Sequence, residues 1–173
     1  MHKLHLLRHA KSSWKGDKED HKRPLSKRGR EAARLVGRHL PEALGTLDLV
    51  LCSSAARTQQ TLELVLAQFQ NRPVCRIEDG LYLADSDKLI KRLGLLDDDR
   101  DNVLLIGHNP GLHQLAIALA EPRSPSFFCL ADGKFPTLAR ASLQISVRWS
   151  EIAGARHLLI DYATTASLLG EER

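Results

Sequence analysis

Cysteine, metal-ligand clusters and long apolar runs are all scarce in this sequence. Of its 173 residues only Cys52, Cys75 and Cys129 are cysteines, an odd number with no C-x-x-C pair. That excludes a disulfide framework and a paired thiol site for metal or redox chemistry, so reduced thiols in a cytoplasmic protein are expected. No stretch approaches the ~18 uninterrupted apolar residues of a membrane span. The opening segment turns apolar only briefly and is broken by His5, Arg8, His9 and Lys11, which argues against a secretory signal. Repeats, low-complexity tracts and linkers are also missing, and the length suits one domain spanning residues 1–173.

What is present is a globular composition, 43% hydrophobic and 27% charged, with a formal net charge of +4. The charge is uneven. Between Lys11 and Arg30 lie eight Lys or Arg against Asp17, Glu19 and Asp20. A solvated loop is the plain reading of such a run; an acidic or phosphorylated partner is the sharper one, and nucleic acid a third.

Hydrophobic periodicity orders the chain. Residues 2–7 read as a strand ending at Arg8-His9, and 10–24 as a loop. Ser26 caps a helix to about Leu40 with Ala32, Leu35, Val36 and Leu40 on one face; Gly37 weakens it and Pro41 ends it. Residues 47–52 read as a buried strand, with helical spacing after it at Leu62, Val65, Leu66 and Phe69. A short strand at 73–77, a helix over 89–96 and a strong strand at 102–107 follow. Pro110-Gly111 opens a further helix, 121–137 is irregular, and 140–148 with 155–162 form two strands at an antiparallel edge. This alternation predicts an α/β fold, a three-layer sandwich with a mainly parallel central sheet covered on both faces.

Ligands of open α/β sheets bind beyond the carboxyl ends of the strands. Three predicted strands deliver polar residues there: Arg8-His9, Ser53-Ser54-Ala55-Ala56-Arg57, and His108-Asn109-Pro110-Gly111. Arginine forks fit the oxygens of a phosphoryl group, and its transfer is catalysed mainly by positioning and electrostatics. A neutral His9 can attack phosphorus. Arg8 and Arg57 disfavour its protonated form, and a carbonyl on the second ring nitrogen would fix its tautomer. Water would then release phosphate from phospho-His9. With His108 and the arginines supplying positive charge, no metal or cofactor is expected.

The segment Leu-Leu-Arg8-His9-Ala-Lys-Ser-Ser-Trp14 resembles the Arg-His-Gly signature of the histidine phosphatase superfamily, also called phosphoglycerate mutase-like. Ser53-Ser54-Ala-Ala-Arg57 and Gly107-His108-Asn109-Pro-Gly111 resemble its second and third motifs. The short length and the segment from Asp20 through Arg23 to Gly29 resemble its SixA-type phosphohistidine phosphatase branch. The resemblance implies His9 as nucleophile, Arg8 and Arg57 as phosphate ligands and His108 as a transition-state donor. Arg23, Ser13 and Asn109 are the implied outer substrate contacts. Phosphate, sulfate or tungstate should bind, and neither nucleic acid nor membrane is an expected partner. Ala10 departs from the usual glycine, with little expected effect.

Other residues receive plainer readings. Ser53 and Ser54 are turn and cap residues, Trp14 packs the loop, and His21, His39, His113 and His157 are structural. Cys52 and Arg57 stand at C-x4-R, whereas cysteine phosphatases use C-x5-R, and that rival fails. Asp20, Glu78, Asp79 and Asp85 are all candidate general acids. A histidine imidazole, with a pKa of ~6.5, leaves more readily than an alkoxide, so a site without a committed acid favours phosphohistidine on a protein. The alternatives are a small-molecule phosphomonoesterase or phosphoglycerate mutase-like enzyme, and an idle phosphoprotein- or nucleic-acid-binding domain.

Overall fold

A computed structural model describes residues 1–170. Its centre is a six-stranded sheet of β1 (His2–Arg8), β2 (Leu49–Ser53), β3 (Val74–Glu78), β4 (Asn102–Gly107), β5 (Arg140–Ile145) and β6 (Leu158–Ala163). The order is β3-β2-β4-β1-β5-β6. The first four strands in that order are parallel, and β5 and β6 run antiparallel at the far edge.

Side chains alternate across the sheet, as a pleat requires. Leu4, Leu6, Leu49, Leu51, Val103 and Leu105 face one core, closed by α3 (Ser86–Leu93), α4 (Gly111–Leu119) and α5 (Phe127–Asp132). Leu7, Val50, Cys52, Leu104 and Ile106 face the other, closed by α1 (Lys27–Leu44) and α2 (Ala56–Leu66). The short α6 (Thr165–Leu168) lies against this second layer through Leu168. The predicted three-layer α/β architecture is the observed one.

Three local expectations need correcting. Pro41 does not end α1, which continues to Leu44 with Gly45 donating its N–H to the Pro41 carbonyl at 3.0 Å. Leu40 and Leu44 are both buried there. At about 1.5–3 kcal/mol each, their burial offsets the cost of an interior proline, about 3 kcal/mol. The apolar face of α1 is also rotated: Ala33, Val36, Leu40 and Leu44 are buried, whereas Leu35 is exposed. Gly37 belongs to the buried face. A Cβ at this position would stand 3.0 Å from the Val65 Cα, so the glycine lets α1 and α2 approach closely. Finally, the segment read as irregular contains α5, anchored by buried Leu130.

No helix among the described residues is long and apolar enough to cross a membrane.

Candidate active site

Strand register brings the three polar segments together. Arg8 pairs with Gly107 and Cys52 with Ile106, so β1, β4 and β2 end level with one another. His9, His108 and Ser53 therefore emerge side by side. The His9 and His108 rings stand 5.3 Å apart, centre to centre. Both line a cleft of about 290 Å³ with Arg8, Arg23, Arg57 and Asn109.

His9 is buried, and its Nδ1–H donates to the Ala10 carbonyl at 2.7 Å. That bond fixes the tautomer and leaves Nε2, with its lone pair, as the nitrogen for the cleft. Burial, reinforced by the charges of Arg57, Arg8 and Arg23, brings the His9 pKa down to about 4, against the opposing pull of the Ala10 bond. The ring is neutral at pH 7. Ala10 sits outside the positive-φ residues, so its Cβ is accommodated. Its N–H donates to Thr61 Oγ1 at 3.0 Å, and that hydroxyl donates to the Arg57 carbonyl at 2.7 Å, tying the His9 loop to α2.

Ser53 and His108 are joined by a 2.7 Å hydrogen bond between Oγ and Nε2. Ser53 Oγ also accepts the Ala55 N–H at 3.4 Å, which ties this hydroxyl to the turn leading into α2. The other ring nitrogen, Nδ1, is buried without a partner among the described residues. Burial first, then His9 and Arg57, depress the His108 pKa to about 3. Ser53 is thus the orienting partner of His108 and does not cap α2, whose N-cap is Ala55.

Arg57 is buried and donates from Nη1 to the Asp20 carbonyl at 2.9 Å and from Nη2 to Asp20 Oδ2 at 3.1 Å. Arg23 is held on three sides: Nε to the Ser13 carbonyl at 3.1 Å, Nη1 to Asp20 Oδ1 at 2.9 Å and Nη2 to Ser12 Oγ at 2.5 Å. Its guanidinium also lies 3.3 Å over the Trp14 ring. Arg8 Nη1 and Asn109 Nδ2 both donate to the Phe135 carbonyl, at 3.0 and 2.7 Å. The irregular segment before β5 therefore braces the site.

Sequence reading and structure part at several residues. Ser12, not Ser13, lines the cleft; the Ser13 hydroxyl takes the Lys15 N–H at 3.1 Å. Trp14 is exposed at the cleft wall and carries Arg23 on its face, so it does not pack the loop. Leu83, Lys11 and Thr137 also line the cleft and gave no periodic signal. His21 bonds Ser54 Oγ at 2.8 Å and meets Tyr82 edge-on.

None of the four candidate acids lines the cleft. Asp85 caps α3 by accepting the Lys88 N–H, and Glu78 is held bidentately by Arg92 at 2.7 Å. Asp79 lies in the 3₁₀ turn Asp79–Leu81. Asp20 comes nearest, yet the Tyr82 hydroxyl, Arg23 and Arg57 hold its pKa at about 2, against a smaller opposing effect of burial. It is a carboxylate, not a proton donor, at neutral pH. Cys52 is buried at the opposite pole of reactivity, its thiol pushed up to about 12 by burial. Among the described residues no group of three or more His, Cys, Asp or Glu is placed to hold a metal ion.

Residues 4–82 match the family profile of the histidine phosphatase superfamily (branch 1). An uncharacterized protein of Mycobacterium tuberculosis is 35% identical over 149 residues, 84% of this chain and 91% of the relative. Among solved structures, a protein assigned as phosphohistidine phosphatase SixA from Nakamurella multipartitia superposes with a TM-score of 0.82. It is 29% identical, over 94% of this chain and 95% of that one. The protein histidine phosphatase SixA complexed with tungstate has the same fold, with a TM-score of 0.77, 22% identity and coverage of 96% and 99%.

Proposed function

The chain belongs to the histidine phosphatase superfamily, and on that premise we propose that it removes phosphoryl groups from phosphohistidine on a protein through phosphorylated His9. His9 Nε2 attacks phosphorus as the bond to the substrate imidazole breaks. The leaving ring departs neutral, its nitrogen remote from phosphorus having first taken a proton from solvent. Water then attacks phospho-His9, releasing inorganic phosphate and restoring the free imidazole. Arg8, Arg57 and His108 are the donors for the phosphoryl oxygens, with Arg23 and Asn109 at the margin. These groups supply the positive field, and the mechanism calls for no metal. The same donors should hold phosphate, sulfate or tungstate.

The observation that carries the substrate choice is the cleft without an acid: no carboxyl lines it, and the nearest, Asp20, is held ionised. An alkoxide needs a proton to leave, whereas imidazole, with a pKa of ~6.5, does not need a strong acid beside it. The free cysteines, one of them exposed, suit a reducing compartment such as the cytoplasm.

The test uses a protein labelled on phosphohistidine with radioactive phosphate, quenched without acid. Wild type should carry transient label and turn over, and His9→Ala should do neither while keeping its fold. Turnover by His9→Ala would overturn the nucleophile. A strong preference for phosphomonoesters over phosphohistidine protein would overturn the substrate.

A further inference from the structure

A groove of about 540 Å³ runs beside the catalytic cleft and shares Lys11 and Thr137 with it. Lys11 comes from the loop after β1, Arg28 from the first turn of α1 and Lys134 from the segment after α5. All three are exposed and line the groove. Its remaining surface is Ala32, Pro136, Leu138, Ala166 and the residues Thr164 and Thr165. A third hollow, about 590 Å³, again includes Lys11, Lys134 and Thr137. No carboxylate lines any of the three.

These cations are also uncommitted. Arg23, Arg57, Arg92 and Arg140 each pair with a carboxylate, but among the described residues Lys11, Arg28 and Lys134 pair with none. A free phosphate ester is accommodated by the cleft alone and has no use for a second basic groove. An extended polypeptide has: its apolar stems fit the alanine, proline and leucine surface while carboxylates meet the three cations. We propose that this groove docks an acidic stretch of the substrate protein next to its phosphorylated residue. The inference rests on the reading of the cleft as a protein phosphohistidine phosphatase site.

The experiment keeps the two readings apart. Hydrolysis of free phosphohistidine tests the chemistry alone. Docking is tested by binding of two fluorescent peptides carrying a non-hydrolysable phosphohistidine analogue, one flanked by glutamates and the other by glutamines. The glutamate peptide should bind about tenfold tighter, on the scale of several exposed ion pairs together. Salt near 1 M, where screening acts within ~3 Å, should erase the difference. The double variant Arg28→Glu, Lys134→Glu should abolish it too, with free phosphohistidine hydrolysis and the thermal melt unchanged. Equal binding of the two peptides by wild type, or a preference that survives the double variant, overturns the docking groove. Failure to hydrolyse free phosphohistidine counts against the chemistry and leaves the peptide comparison valid.

Discussion

Replacing Asp20 by asparagine separates two roles that a carboxylate near a phosphoryl site can play. A proton donor to the leaving group contributes about 10²–10⁴ in rate. A brace contributes only what its contacts are worth. Asp20 accepts from Arg23, Arg57 and Tyr82 through its carboxylate, and from Arg57 again through its backbone carbonyl. The substitution leaves the backbone contact and one side-chain acceptor in place. What goes is the charge of a half-exposed group, and such pairs are worth roughly 0.2–1 kcal/mol each. Losing the negative charge also removes a repulsion toward the incoming phosphoryl group, which offsets part of that. The expected net effect is a change within about fivefold in kcat/KM. It should be the same for phosphohistidine and for phosphotyrosine, whose leaving groups have pKa values of ~6.5 and ~10. Steady-state kinetics on both substrates measures it. A loss of a hundredfold or more confined to phosphotyrosine would show that Asp20 donates a proton, and the account of the cleft as free of an acid would be wrong.

Other expectations follow from the same geometry. Arg57→Ala should lower kcat by about 10²–10³, the cost of one preorganised donor, with Arg57→Lys in between; it should also move the acid limb of kcat/KM upward, because burial and Arg57 together lower His9, and a limb that stays put would show that Arg57 does not act on His9. Ser53→Ala should cost about 3–10-fold in kcat, the scale of one hydrogen bond, and nitrogen NMR should show the His108 Nε2 resonance move as its partner is lost; an unchanged spectrum would refute the contact. Stability should be full above the unfolded histidine pKa of ~6.5 and fall as pH drops toward 4. The sign follows because His5, His9 and His108 are lowered to about 4, 4 and 3, so between these values and ~6.5 the unfolded chain binds more protons. The full shifts correspond to roughly 3–5 kcal/mol each, and a thermal melt unchanged from pH 7 to pH 4.5 would contradict their burial in neutral form.

The sheet and the convergence of three segments were legible because each rests on local pattern. Buried runs such as 102–107 announce strands, and polar pairs directly after them announce strand ends. That a carbonyl would fix the His9 tautomer was also expected, but only the structure identifies the acceptor as that of Ala10. What escaped is non-local. Nothing near Ser53 in the chain points to His108, fifty-five positions away, and nothing in the aperiodic stretch before β5 reveals that the Phe135 carbonyl holds both Arg8 and Asn109. Trp14 misled because a large aromatic residue usually buries itself, whereas here one face carries the Arg23 guanidinium and the residue stays exposed. Pro41 misled for the opposite reason: tertiary burial of Leu40 and Leu44 overrode a strong local rule.

The proposed nucleophile and the absence of a carboxyl from the cleft have a common cause. Burial together with Arg57, Arg8 and Arg23 keeps His9 unprotonated, which makes its lone pair available. The Tyr82 hydroxyl, with Arg23 and Arg57, donates to the Asp20 carboxylate and keeps it ionised. Any carboxyl brought into this cluster to serve as an acid would meet the same positive field and ionise. Removing guanidinium groups to rescue the acid would protonate the nucleophile and weaken the grip on phosphate. Within this arrangement an unprotonated imidazole and a neighbouring carboxylic acid oppose each other, and the conflict is avoided when the leaving group is basic enough to take its proton from solvent near neutral pH. Phosphorus bonded to an imidazole nitrogen meets that condition, and phosphorus bonded to an alcohol oxygen does not.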